Sequence, residues 1–364
     1  MNDRCIVYIS NIPWNYSWHR QQEMASFLAK KGYIIIFVEP CSKKRPFSHS
    51  LTKVGEDIYI LHPCGLPLER CLRLTSWING LYLNQYLDIS LSRMDIDDYI
   101  LWIDRVHGID FKHLCNNKYV VYDLIDELTA FGRWKNKKML IKLENTVLMR
   151  ANLLMSSSSL LLKRKMEQSG RKDGGIFIPN GVEISRFANV VKKKNSYKTI
   201  GFIGTISKRA LNFKMIEKIA KEKPQWKLMF VGPGEAEDKE KLCEMGITVL
   251  NQVSGDEVPN VMSMFDVGII PYNIDNRDMD YVFPRKACEY LAAGIPVVST
   301  MLPEIKAMEP FVYIAETSND FIKGIESAFN EGITPEDRRN FASKFDWNNL
   351  MTMLLNKLEK DSKN

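Results

Sequence analysis

Residues 281–300 read YVFPRKACEYLAAGIPVVST, and the order of residue types in this stretch dictates both a local structure and a local chemistry. Pro284 suits the first turn of a helix, where its missing N–H is not needed. Gly294 and Pro296 end that helix, and the β-branched run from Val297 opens a strand. A helix start presents free backbone N–H groups and the positive end of the helix dipole, so it attracts a diphosphate. Arg285 and Lys286 add charge there, and Glu289 follows one turn later as a carboxylate able to accept both hydroxyls of a ribose.

Outward from this stretch, short β-rich runs alternate with helical patterns, the rhythm of parallel α/β structure. Around it the pattern predicts strands at 199–203, 227–231, 248–250, 267–270 and 296–299. Upstream it predicts strands at 5–9, 33–38, 58–62, 99–103, 119–122, 153–156 and 175–178, with helices at 18–31, 66–91, 139–151 and 160–168. At 364 residues the chain exceeds one ordinary core and fits two domains. The polar, aperiodic residues 192–196 mark a linker between them. Parallel sheets hold ligands at the carboxyl ends of their strands, so the expected functional loops follow Ile9, Ile103, Tyr122, Ile203, Val231 and Ile270.

Composition narrows the class further. A hydrophobic fraction of 45% with 26% charged residues is that of a folded globular chain and excludes disordered or fibrous classes. The longest apolar run, 33–38, is far shorter than the roughly 20 residues of a membrane span. The N-terminus leads straight into a strand pattern without a signal-peptide core, so a cytoplasmic protein is expected. Seven scattered cysteines without a C-x-x-C pair point to reduced thiols rather than zinc or redox chemistry. Residues 1–182 carry 25 Lys/Arg against 18 Asp/Glu, and the remainder 25 against 26, so the first half favours an anionic partner. Residues 131–143, with Arg133, Lys135, Lys137, Lys138 and Lys142 among Trp134, Met139, Leu140 and Ile141, are a candidate for peripheral contact with the anionic inner face of a membrane. A solvated helix start with its apolar side in the core is the competing reading. No motif for nucleic acid is present.

The 281–300 stretch resembles the donor-binding motif of GT-B glycosyltransferases, in particular family 4-like members with a P-x-K-x-x-E-Y-L-A-A-G-x-P-V-V-S-T helix. Residues 178–182 (IPNGV), 200–209 (GFIGTISKR in its core) and 230–234 (FVGPG) resemble further runs of that family in the same order. Val120 to Glu127 (VVYDLIDE), with Phe131, resembles the Y-D-x-x-D-E segment of bacterial polysaccharide and teichuronic-acid-type members. The resemblance implies two facing Rossmann-like domains: residues 1–185 for the acceptor, 196–345 for the nucleotide-sugar donor, and a last helix within 346–364 crossing back to the first domain. It implies transfer of a sugar, with retention, from a nucleotide diphosphate sugar to a cell-surface polysaccharide or lipid-linked glycan precursor, without metal or other cofactor. Gly204, Thr205, Lys208, Arg209, Gly232, Gly234, Arg285, Lys286 and Glu289 are the implied donor residues, and Asp123 and Asp126 the implied catalytic pair.

The chain also departs from the family pattern. Where relatives place a second glutamate eight positions before Glu289, it has Tyr281, with Asp278 and Asp280 nearby. Thr205 replaces the basic residue that commonly follows the loop glycine, and Lys208 and Arg209 come three and four residues later. After the first strand, residues 12–20 (IPWNYSWHR) stand where relatives have a glycine-rich loop. Trp14 and Trp18 can stack on pyranose faces, so Trp14, Trp18, His19 and Arg20 are the candidate acceptor contacts. The pairs Asp95/Asp97 and Asp278/Asp280 do not directly follow a strand, as a metal-binding D-x-D should. Two further readings stay open: a sugar-nucleotide epimerase of the same architecture, and a non-catalytic scaffold in a glycan assembly complex.

Overall fold

The computed structural model describes residues 4–16, 18–41, 49–66, 72–107, 113–114, 117, 119–130, 136–193, 196–330 and 332–361. The chain divides into two compact units, one of residues 1–178 with 351–364 and one of residues 179–350. The polar residues 192–196, read as a linker, fall within the numbering of the second unit.

The first unit is built on a sheet of strands β1 (Cys5–Ile9), β2 (Ile34–Val38), β3 (His49–Lys53), β4 (Ile58–Pro63), β5 (Ile100–Ile103), β6 (Tyr119–Leu124), β7 (Leu153–Ser156) and β8 (Gly175–Phe177). Their order across the sheet is β3-β4-β2-β1-β5-β6-β7-β8, parallel throughout except for β3 against β4. Strands such as Cys5–Ile9 (CIVYI) and Ile34–Val38 (IIIFV) are apolar on both faces because helices cover both. Among those helices are Arg20–Lys30, Arg73–Arg93, Lys137–Arg150 and Ser159–Gln168. The apolar pattern had extended the second of these back to residue 66. In the structure it starts at Arg73, and residues 67–71 lie outside those described.

The second unit is a fully parallel sheet of β9 (Thr199–Ile203), β10 (Lys227–Val231), β11 (Thr248–Leu250), β12 (Val267–Ile270), β13 (Val297–Thr300) and β14 (Val312–Ala315), in the order β11-β10-β9-β12-β13-β14. This is the doubly wound order, whose connections reverse direction between β9 and β12. Its helices start where the sequence supplies caps: Asn212 accepts the Met215 N–H, Thr317 the Asp320 N–H, and Thr334 forms a capping box with Asp337.

The helix Trp347–Asp361 begins in the second unit and ends in the first. Its far end is tied down by Tyr119, whose hydroxyl donates to Asp361 Oδ2 at 2.7 Å. No helix among the described residues is long and apolar enough to cross a membrane.

Candidate functional site

In the second unit three loops meet at the carboxyl end of the sheet, beside the β9/β12 reversal. After β9, Gly204 donates its N–H to Val231 O at 2.9 Å and Ile206 donates to Pro233 O at 2.7 Å, so the loops after β9 and β10 run side by side. Their approach is close enough that a Cβ on Gly232 would lie 2.1 Å from Gly204 O, and one on Gly234 would lie 2.4 Å from Ile206 O. Both Gly204 and Gly232 have φ of 151°, which side-chain-bearing residues rarely adopt. The loop after β9 also binds the loop after β12, through Asn212 N–H to Pro271 O and Asn273 N–H to Ala210 O, each 2.8 Å.

The helix Arg285–Ala292 is fixed to this loop cluster by Tyr290, whose buried hydroxyl accepts the Ile203 N–H at 2.9 Å. Lys286 then reaches across it. Its Nζ donates to Tyr272 Oη and lies 4.9 Å from the centroid of the Tyr272 ring and 5.4 Å from that of Phe202. Its Cε would be 2.9 Å from a Cβ at Gly204. Lys286, Gly204, Gly232 and Tyr272 thus converge, and Tyr272 is the member that spacing did not reveal. Its signal was weak: one aromatic residue two positions beyond β12.

Arg285 and Glu289, expected to contact different parts of a ligand, are joined to each other: Arg285 Nε donates to Glu289 Oε1 at 2.7 Å. Pro284 stands at the N-cap with ψ 94°, one position before the first helical turn in which it was expected. Asn180, within IPNGV, donates from Nδ2 to Phe283 O at 3.2 Å and so holds the approach to this helix. Thr205 is exposed. Lys208 is engaged at the surface, its Nζ donating to Glu237 Oε1 at 2.9 Å and its N–H to Asp238 Oδ2 at 3.0 Å. The bond to Glu237 raises its pKa. Arg209 is exposed, and its carbonyl accepts from Asn276 Nδ2 at 3.3 Å. Tyr281 closes the short turn Arg277–Tyr281, in which Asp280 pairs with Arg277 at 3.6 Å.

In the first unit the corresponding reversal lies between β1 and β5. Asp123 was expected in the loop beyond β6; instead it lies inside that strand, opposite Met155 of β7, because pairing with β7 continues to Leu124. Its carboxylate is buried and accepts from Arg20 Nε at 3.2 Å and Nη2 at 3.3 Å, while Arg20 Nη1 donates to Ile178 O at 2.7 Å. Burial raises the Asp123 pKa, and the guanidinium opposes that rise. Two residues assigned to separate roles, catalysis and acceptor binding, therefore form one buried ion pair. Asp126 is exposed in the following turn.

Trp14 packs edge-on with Trp18 (5.8 Å) and Phe37 (5.0 Å), and its backbone N–H donates to Glu39 Oε1 at 2.8 Å. Trp18 is 49% exposed, and His19 caps the Arg20–Lys30 helix with Tyr16 stacked on its ring at 5.7 Å. Two features escaped the sequence. Asp104, next after β5, is only 9% exposed, and neither of its oxygens has a hydrogen-bond partner among the described residues. Burial, then the neighbouring Asp123 charge, holds its carboxyl well above the ordinary range. Lys165 is buried between Glu144 (2.7 Å) and Glu127 (3.2 Å), with Tyr122 donating to Glu144 at 3.2 Å.

Of the basic stretch 131–143, residues 131–135 lie outside those described. In the helix Lys137–Arg150, Met139 and Leu140 are buried and Ile141 is exposed.

Residues 197–331 match the family model of the group 1 glycosyl transferases. Over 264 residues the chain is 32% identical to TuaH of Bacillus subtilis (strain 168), whose name assigns it to teichuronic acid biosynthesis as a glycosyltransferase; the match spans 65% of this chain and 66% of that one. Among solved structures, sucrose-phosphate synthase from Thermosynechococcus elongatus superposes with a TM-score of 0.75 at 12% identity over 98% of both chains. Anabaena HepE in complex with UDP superposes with a TM-score of 0.66 at 14% identity over 98% of this chain and 100% of that one. Residues 197–331 thus form a group 1 glycosyl transferase domain, and the chain has the GT-B fold.

Proposed function

We propose that the chain transfers a sugar from a nucleotide diphosphate sugar to a cell-surface polysaccharide or lipid-linked glycan precursor. The convergence of Lys286 with the backbones of Gly204 and Gly232 at the β9/β12 reversal carries this reading. Glycines that bring two loop backbones together leave no Cβ in the way of a diphosphate, and the Lys286 ammonium balances the charge that develops as the diphosphate departs. In this reading Glu289, whose Oε1 accepts from Arg285, is the acceptor for ribose hydroxyls. UDP, which is bound in the structural neighbour HepE, is the first nucleotide to test. The family resemblance supports retention, and teichuronic acid biosynthesis, the process named for the relative, supports an anionic envelope polymer as product. The cationic groups at the diphosphate position make a metal unnecessary in this scheme.

Membrane contact fits an acceptor of this kind. In the helix Arg73–Arg93, Leu74, Trp77 and Leu81 share one face and are exposed, with Leu72 and Arg73 at its start. An apolar stripe with an aromatic and a cation suits an interfacial helix better than 137–143, whose Met139 and Leu140 are buried.

Thermal shift with UDP, GDP, ADP and TDP, with and without EDTA, tests the donor site. One nucleotide is expected to raise the melting temperature in EDTA as well as without it. Glu289→Ala and Lys286→Ala are each expected to weaken that nucleotide about tenfold or more. Absence of any response in the wild type would favour the scaffold; turnover of a sugar nucleotide to its epimer without acceptor would establish the epimerase.

A further inference from the structure

Tyr272 is bound into the donor loops by its backbone as well as by its ring. It forms an isolated antiparallel bridge with Leu211 of the loop after β9. The residues on either side close that bridge: Pro271 O accepts the Asn212 N–H, and the Asn273 N–H donates to Ala210 O, each at 2.8 Å. The Tyr272 backbone is thus held from both sides, and the residue is only 9% exposed. Tyr272, Lys286, Phe202 and Gly204 all belong to the second unit.

The hydroxyl carries the chemistry. Lys286 Nζ donates to Tyr272 Oη. An ammonium has three N–H donors and no lone pair, so the phenol oxygen can only accept in this contact. Its own hydrogen is left over, and no acceptor for it is found among the described residues. The rings of Tyr272 and Phe202 both lie within cation–π range of Nζ, which fixes the ammonium beside that hydroxyl. Nζ would be 3.3 Å from a Cβ at Gly204, so the missing side chain leaves open the space beside it. Lys286 and Gly204 are partly exposed, and the pair is accessible from their side.

We propose that Tyr272 is a second diphosphate-binding side chain: its hydroxyl donates to a phosphate oxygen of the nucleotide diphosphate sugar while its oxygen keeps the bond from Lys286. This role rests on the donor reading above and adds a neutral donor beside the cation. The two donors differ in kind. The ammonium is a point charge that turns on a flexible four-carbon stem, whereas the phenol O–H lies near the plane of a ring whose backbone is fixed on both sides. Tyr272 therefore supplies direction and Lys286 supplies charge, a donor arrangement in place before the ligand arrives. The phenol keeps its proton throughout.

Tyr272→Phe keeps the ring beside Lys286 and removes the hydroxyl alone. Calorimetric titration of the intact protein with UDP, GDP, ADP and TDP identifies the nucleotide that binds, and each variant is titrated with that nucleotide, with urea unfolding alongside to confirm that it is folded. Tyr272→Phe is expected to bind about tenfold more weakly than wild type. A double-mutant cycle with Lys286→Ala separates contact from positioning. A hydroxyl that meets the phosphate costs about tenfold in the Lys286→Ala background too, whereas one that only holds Lys286 costs nothing there. Unchanged affinity in Tyr272→Phe, or a loss that vanishes once Lys286 is replaced, would overturn the proposal and leave the donor site standing. If the wild type binds none of the four nucleotides, or Lys286→Ala binds as well as wild type, the donor reading falls and the role of Tyr272 falls with it.

Discussion

Asp104 shows how a single side chain can couple stability to pH. Its folded pKa is raised above the ordinary 3.8, so the folded state keeps a proton that the unfolded state has lost. Its contribution is therefore complete below the unfolded pKa and is lost as pH rises through the folded one. Asp104→Asn removes that dependence. The variant should melt higher than wild type at about pH 8, and the gap should close toward about pH 4 in a series of thermal melts. The chain pattern marked this position only as the first residue after a strand. Its raised pKa comes from burial and from the charge of Asp123, which spacing alone cannot bring beside it. Asp123 was misplaced for a similar reason: Asp is an infrequent strand residue, and its Arg20 partner lies 103 positions away.

Elements were far more legible than sites. Four of the strands predicted for the second unit, at 199–203, 227–231, 248–250 and 267–270, have the observed limits, because continuous β-branched and aromatic runs between turn residues leave little choice. β14 and β3 went unseen. β3 (HSLTK) is an edge strand that pairs with β4 alone among the described residues, and its sequence lacks an apolar run. Lys165, on the helix Ser159–Gln168, locks that helix to Glu127 and to Glu144 on the helix Lys137–Arg150. Lys165→Met leaves two buried carboxylates facing one another and should cost about 3–5 kcal/mol in urea unfolding. Gly232→Ala acts between elements. A methyl 2.1 Å from Gly204 O must push the two loops apart, so nucleotide affinity should fall more than stability does, which paired titration and unfolding measurements would show.

At the scale of the molecule, the alternation of strand and helix was enough for the α/β class, since it needs only local patterning; the chain length pointed to two units, and the chemistry class came from the resemblance carried by residues 281–300. Nothing in the local pattern ties the last segment, 351–364, to the first unit; that assignment came from the family resemblance. A chain stopped after Leu350 should keep a cooperative second unit but lose most protease resistance in residues 4–178, as limited proteolysis with mass mapping would reveal. The helix Trp347–Asp361 also sets a clock. A ribosome adding about 5–20 residues per second spends some ten seconds or more between residue 178 and residue 351. Through that interval the nascent first unit lacks the partner of Tyr119, so chaperone contact during synthesis should concentrate on the half of the protein that is made first and finished last.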